Sequence, residues 1–297
     1  MSVDAPPRLD KTLVRRHFDL AADRYDQHAV LQQQVAERMI ERLQWVRLAP
    51  QRILDVGSGT GQCGRLLAKQ YRRVPLVSVD LAPSMLRQAR QQCSRLARWR
   101  RPESWVCGDV EALPLADDSV DLVVSSLALQ WLDQPDQALA ECWRVLRPGG
   151  LLMFTSFGPD TLYELRQAWG QVDAWPHVNH FLDMHDLGDA LMRSRFADPV
   201  MDAETFTLTY ETLPDLMRDL KAIGAQSAFR QRPSGLVGRR RFQQVVDAYE
   251  GFRQQGRLPA SYEVVYGHAW MPADKAPQPG GPSVVSVPLS RLRRPGQ

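Results

Sequence analysis

DVGSGTGQCG, residues 55–64, follows the apolar pair Ile53-Leu54 and places four glycines in ten residues. The stretch RILDV reads as a short strand, and GQCGRLLAKQ as the start of a helix. Glycines between them let the backbone approach a ligand closely at a helix N-terminus. Gly59-x-Gly61-x-x-Gly64 matches the letters of the dinucleotide fingerprint. In that fingerprint, however, the first glycine directly follows the strand. Here Gly57 does so, and counting from Gly57 the third required glycine falls at Gln62.

What fits in register is Asp55-x-Gly57-x-Gly59-x-Gly61. A carboxylate at Asp55 suits a cationic ligand and not a pyrophosphate. S-adenosylmethionine carries an ammonium and a sulfonium and no phosphate. The loop therefore favours a methyltransferase over a nicotinamide enzyme.

The flanking sequence supplies the fold. Residues 10–47 carry apolar side chains at helical spacing, including Val35, Met39 and Leu43. Strands are predicted at PLVSVD (75–80), at SWVCGD near 107, at SVDLVVSSL (119–127) and at LLMFTSF after the turn RPGG (147–150). Helices are predicted between them at 83–93 and 135–146. Strands alternating with helices of 10–15 residues imply β-α-β units and a parallel sheet. Beyond 157, helices are expected at 160–170, 184–196, 213–223 and 239–254, and strands at 204–211 and 261–270. The fold class is α/β: a doubly wound, mostly parallel seven-stranded sheet with an antiparallel last strand.

Two further acids fall at strand ends. Asp80 ends the second strand, where a carboxylate can accept both ribose hydroxyls. Asp109 follows the third and is placed for an adenine amino group. Ligands of open α/β sheets bind at that rim.

The stretches ILDVGSGTG, VSVDLAPSML, GDVEALPLADDSVDLVVSSLALQW and LRPGG resemble the class I S-adenosylmethionine-dependent methyltransferases. The resemblance implies that Gly57, Gly59 and Gly61 with Asp55 hold the methionine end. It further implies Asp80 with Leu81 on the ribose, Asp109 with Val110 on the adenine, and Leu127 beside the methyl donor. In FDLAADRYDQHA (18–29), Tyr25 matches a tyrosine that closes over the cofactor. The insertions FGPDTLYELRQAW, HVNHFLDMHDLGDALMRSRFADPVMD, LMRDLKAIGA and LPASYEVVYGHAW resemble the malonyl-acyl-carrier-protein O-methyltransferase family of biotin synthesis. That likeness covers nearly everything except the tails. It implies methylation of the free carboxylate of a malonyl thioester, on acyl-carrier protein or on malonyl-CoA. A different small-molecule methyltransferase, or a methyltransferase-like assembly factor acting on a protein partner, shares parts of the pattern.

The chemistry is consistent with what the chain lacks. A carboxylate with a pKa near 4 is already ionised at neutral pH, so no general base is required. The protein must align the reacting atoms and exclude water. The expected organisation is an N-terminal helical segment (1–50) closing over the cofactor and a binding core (51–157). A cap insertion (158–183), a core helix and strand (184–211), a basic helical cap insertion (212–258), a final strand (259–271) and a disordered tail (272–297) follow. A cap cation should hold the acceptor carboxylate, and arginine suits this because it binds carboxylates through two hydrogen bonds. His180, Arg230 and Arg232 are the candidates.

Residues 218–241 contain seven basic residues against one acid, in a chain whose net charge is only +3. Arg218, Lys221, Arg239, Arg240 and Arg241 are therefore candidates for docking an acidic carrier protein. The modest overall charge excludes general nucleic-acid binding. No apolar run reaches the ~18 residues needed to span a bilayer, and the N-terminus lacks a secretory h-region. Four scattered cysteines without a C-x-x-C pair argue against a structural metal and fit a reducing cytoplasm. His177, His180, Asp183 and His185 match no zinc spacing, so no metal is expected.

Overall fold

The computed structural model describes residues 8–94, 102–132, 135–230 and 238–275 of the 297-residue chain. Seven strands form one sheet in the order β3-β2-β1-β4-β5-β7-β6. They are β1 (Ile53–Val56), β2 (Leu76–Asp80), β3 (Glu103–Cys107), β4 (Val120–Ser126), β5 (Leu146–Phe157), β6 (Ala197–Tyr210) and β7 (Leu258–Trp270). Strands β1 to β5 pair in parallel, and β7 runs antiparallel to both β5 and β6.

The strand sequences explain why both faces are covered. In β1, Ile53 packs to one side while Leu54 and Val56 pack to the other. Strands β4 and β5 divide likewise: Leu122, Val124, Leu151 and Met153 face one layer, and Val123, Leu152 and Phe154 the other. The first layer holds α3 (Val30–Leu43) and α4 (Gln62–Gln70). The second holds α6 (Pro135–Val145) and α8 (Met184–Arg193). Near-continuous apolar strands are what a doubly covered parallel sheet requires.

The strand order reverses between β1 and β4, so the loops after these two strands diverge at a switch point. Ligands of such sheets bind there. Helix α5 (Pro83–Gln92) follows β2 and receives α1 (Lys11–Ala21) across the rim, where Ala21 and Ala22 pack on Ala82 and Met85. The region expected as one helical stretch is three helices, α1, α2 (Tyr25–His28) and α3. The interruption lets the chain pass from the sheet rim to the sheet face.

Two other boundaries differ from expectation. RPGG is a bulge inside β5 and not a turn before it: the register slips between Val120 and Leu122, and Gly149 takes a positive φ of 75°. Strand β6 begins at Ala197, seven residues early. It is an edge strand, where Pro199 costs no ladder hydrogen bond.

The insertions build a layer above the carboxyl end of the sheet. Helix α7 (Tyr163–Gly170), α9 (Leu213–Ala222) and α10 (Arg239–Glu250) bury Leu165, Trp169, Leu216, Val245 and Tyr249 in the same cluster as α3 and β7. Glu164, fully buried, accepts hydrogen bonds from the Ser261 N–H and hydroxyl and so pins α7 to β7. The N-terminal strap joins this layer too. Asp10 N donates to Ala228 O, Arg230 N to Arg8 O, and Leu9 bridges Phe229. Among the described residues no helix is long and apolar enough to cross a membrane. Of the tail, 272–275 are ordered against the core, with Lys275 on Asp118 and over Trp143. Residues 276–297 lie outside the described residues.

Candidate active site

The loop after β1 bends through three glycines at positive φ: Gly57 (66°), Gly59 (52°) and Gly61 (81°). A side chain at Gly57 would overlap Ala128, which follows β4, so the two rim loops touch through hydrogen alone. At Gly59 a side chain would meet nothing within 4 Å. That open space is part of a cavity lined by Gly57, Gly59, Asp80, Leu81, Asp109, Val110 and Leu127, with Tyr25, Phe18 and Lys11 closing it from the N-terminal helices. Asp55 and Gly61 do not line it. Asp55 is 1% exposed, within the sheet beneath the loop. Gly61 instead opens α4, where a side chain would press on Ala89.

Asp80 is held by both oxygens. Gly59 N donates to Oδ2 and Ala82 N to Oδ1, each at 2.8 Å. Burial pushes its pKa up to about 6, and the nearby Asp19 adds to the rise. A carboxylate fixed by backbone donors, with lone pairs left towards the cavity, fits a vicinal diol. Asp109 is more heavily committed. Its Oδ1 accepts Glu111 N at 3.0 Å, and its Oδ2 pairs with Lys11 Nζ at 2.6 Å. Lys11 also pairs with Glu111. Any donor reaching Asp109 from the cavity would share it with the lysine of the N-terminal helix, which the sequence reading did not foresee.

A second, larger cavity of about 480 Å³ adjoins the first through a common wall of Phe18, Tyr25, Leu127 and Trp131. Phe18 meets Trp131 edge-on at 5.2 Å and lies 6.5 Å from Tyr25. Leu127 has a positive φ of 49°, a conformation that costs of order 1–3 kcal/mol for a branched residue. Its N–H donates to Thr155 Oγ1 at 3.0 Å, and its carbonyl accepts Gln130 Nε2 at 2.6 Å. These bonds hold the rim residue against its strain. Burial, with Asp80 and Asp26 beyond it, pushes the Tyr25 phenol well up, so it stays a neutral hydrogen-bond donor.

Among the described residues lining this second cavity there is no carboxylate. Its polar groups include Gln32, Gln130, Thr161, His177, Asn179, Lys221, Gln226 and Ser227, with the hydroxyls of Tyr25 and Tyr262. His177 stacks on Trp169 at 3.6 Å and meets Asp173 at 2.9 Å, and Asp173 in turn pairs with Arg241.

The expected acceptor residues are dispersed. His180 is exposed and lines an outer chamber, not the second cavity. Arg230 is exposed, and its Nε donates to Leu9 O, which fastens the strap. Arg232 lies outside the described residues. Of the expected docking residues, Arg218 pairs with Asp215, Arg241 is taken by Asp173, and Arg239 and Arg240 stand exposed at the start of α10. Lys221 lines the second cavity. Asp183 caps α8 through His185 N, and His268 sits away from the rim beside Met39 and Arg42. Phe18, Lys11, Gln130, Trp131 and Asn179 were not singled out from the sequence. Phe18 lies seven residues, two helical turns, before Tyr25, a spacing that could have flagged it.

Known proteins are similar along almost the whole chain. A methyltransferase-domain family model matches residues 54–154. Malonyl-[acyl-carrier protein] O-methyltransferase of Laribacter hongkongensis is 55% identical over 268 residues, covering 89% of this chain and 90% of that protein. Malonyl-[acyl-carrier protein] O-methyltransferase 1 of Coxiella burnetii is 39% identical, covering 97% of each. Among solved structures, the YcgJ protein of Bacillus subtilis aligns at a TM-score of 0.55 and 15% identity over 80% of this chain and 98% of that one. Phosphoethanolamine N-methyltransferase 2 of Haemonchus contortus, in complex with S-adenosyl-L-methionine, aligns at 0.51 and 17% identity over 86% of this chain and 57% of that one. These two show the fold. With the glycine loop, the rim acids and the seven-stranded order in place, the chain belongs to the malonyl-[acyl-carrier protein] O-methyltransferase family, on a class I methyltransferase fold.

Proposed function

We propose that this protein transfers a methyl group from S-adenosylmethionine to the free carboxylate of a malonyl thioester on acyl-carrier protein, giving the methyl ester that enters pimeloyl synthesis for biotin. The observation that carries the reading is the second cavity. It joins the cofactor cavity at the Tyr25–Leu127 wall, and its described lining offers an ammonium and amide and hydroxyl donors but no carboxylate. Such a lining suits an anionic acceptor and repels none of its charge.

S-adenosylmethionine, when bound, supplies an electrophilic methyl on a sulfonium. Gly57 and Gly59 give it close backbone, and Asp80 takes the ribose. The acceptor carboxylate is ionised at neutral pH. One of its oxygens forms the new C–O bond as the C–S bond breaks, and the electron pair stays on sulfur. No proton moves, so the protein's task is alignment and exclusion of water. Phe18, Tyr25 and Trp131 form an apolar wall at the junction, and the neutral Tyr25 hydroxyl can donate to an acceptor oxygen.

Lys221 is the cation we assign to the acceptor carboxylate. No acid among the described residues lies within ion-pair distance of it, whereas Arg218 and Arg241 are already paired. Arg239 and Arg240 remain for the carrier protein. Cations at a helix N-terminus oppose the macrodipole, so their place at the start of α10 is unfavourable for the helix itself and suits an acidic partner. The insertions 158–183 and 212–258 act as the cap. Supply of the acceptor by fatty-acid synthesis accords with a cytoplasmic location.

The test is methyl transfer from labelled S-adenosylmethionine to malonyl-carrier protein, with malonyl-CoA, acetyl-carrier protein and free malonate beside it. Transfer to the malonyl thioesters but not to the acetyl carrier establishes the free-carboxylate acceptor. Cofactor binding without transfer to any of them overturns the reading in favour of a protein partner.

A further inference from the structure

Asn179 lies in the segment between α7 and α8, and its neighbours hold it rigidly. Val178 and Phe181 are buried in the main cluster, and His177 stacks flat on Trp169. Asn179 is itself only 8% exposed. Its Oδ1 has no hydrogen-bond partner among the described residues. A buried carboxamide left so is costly, and a ligand that pairs with it relieves the cost. Asn179 lines the space beside it, with that oxygen unpaired among the described residues.

Two spaces meet at this residue. One is the acceptor cavity. The other is an outer chamber lined by Arg166, Trp169, Trp175, His177 and His180, which shares Trp169, His177, Val178 and Asn179 with the first. The acceptor cavity alone, at about 480 Å³, falls in the ~300–1,000 Å³ range of sites for ligands much larger than a three-carbon acid. Trp175 in the outer chamber is 49% exposed.

We propose that Asn179 and the outer chamber form a subsite for the pantetheine arm of the acceptor, with the Asn179 carboxamide paired to an amide of that arm. This rests on the reading of the acceptor as a malonyl thioester. A malonyl thioester presents only acceptor oxygens, so it cannot satisfy Asn179 Oδ1. A secondary amide offers one N–H and one C=O, and a primary carboxamide meets both side by side. With the carboxylate at the Tyr25–Leu127 wall, the thioester lies in the cavity and the first amide follows it towards Asn179. The rest of the arm then runs past Trp175 to solvent.

Three acceptors of increasing length separate the positions: malonyl S-ethyl thioester, malonyl-N-acetylcysteamine and malonyl-pantetheine. Asn179→Leu should lower kcat/KM about tenfold for the two amide-bearing acceptors, as expected for a lost buried hydrogen bond, and leave the S-ethyl thioester unchanged. Trp175→Ala, at a half-exposed position, should raise KM for malonyl-pantetheine and leave malonyl-N-acetylcysteamine unchanged. Unaltered S-adenosylhomocysteine affinity reports that each variant is folded. Equal losses on all three acceptors, or no loss on any, overturn the subsite while the acceptor reading stands. If the wild-type protein methylates no malonyl thioester, the acceptor reading falls and the subsite falls with it.

Discussion

Asp80 is where acid should loosen the cofactor. Its two oxygens each accept a backbone N–H at 2.8 Å, and burial raises its pKa to about 6. Ribose hydroxyls donating to the same oxygens stabilise only the ionised form. Ligand binding must therefore draw the pKa down, and affinity must be full above about pH 6 and fall as protons compete below it. At about pH 5, one unit below that pKa, roughly nine in ten free sites are protonated and affinity drops about tenfold, ~1.4 kcal/mol. Calorimetry with S-adenosylhomocysteine from about pH 5 to 8, in two buffers of different ionisation enthalpy, should show close to one proton released at the acid end and none at the other. Asp80→Asn turns one backbone N–H towards an amide NH2. It should bind about 10- to 100-fold more weakly near neutrality, the equivalent of ~1–3 kcal/mol for a buried unsatisfied donor, and show no dependence on pH. A flat wild-type profile, or a slope that survives in Asp80→Asn, would refute the placement of the ribose.

Other variants address the remaining parts of the site. Lys221→Met should cut kcat/KM for malonyl acceptors by about 10- to 100-fold, since an ion-assisted hydrogen bond is worth ~1.5–3 kcal/mol, without changing S-adenosylhomocysteine affinity by calorimetry. Gly57→Ala places a side chain on Ala128 at a positive φ and should cost at least about 2 kcal/mol; thermal unfolding should show a lower midpoint that no longer responds to added S-adenosylhomocysteine. Lys11→Met removes the pair to Asp109 and Glu111 and should speed S-adenosylhomocysteine dissociation several-fold in stopped flow, most clearly at low salt where such half-exposed pairs count. Reversing Arg239 and Arg240 to Glu should raise KM for malonyl-carrier protein far more than for malonyl-CoA, with the gap narrowing as salt increases.

The cofactor half of the molecule was legible because its signals are local. A glycine that must take a positive φ, an acid closing a strand and a run of apolar residues all act within a few positions, and Gly57, Gly59 and Asp80 come together at one cavity on the sheet rim. The acceptor half was not, because its cavity is assembled from segments distant in the chain. Gln130 and Asn179 are ordinary polar residues until α7 and the rim turn bring them to the same space. Lys221 and Arg230 belong to one basic run in the sequence, yet one lines the cavity and the other ties down the strap. A count of charges cannot separate them, since the difference lies in which way each helix or loop end faces. The break after α1 was equally hidden: the periodicity continues through residues 22–29, whereas in the fold Ala21 and Ala22 pack on Ala82 and Met85 where the chain turns.

That strap has a mechanical consequence. Leu9 and Asp10 are fastened to Phe229 and Ala228 on the cap, and Lys11, the next residue, is fastened to Asp109 on the cofactor rim. Three adjacent residues thus tie the cap to the rim loop after β3, so displacing either end of this short stretch loads the contacts at the other.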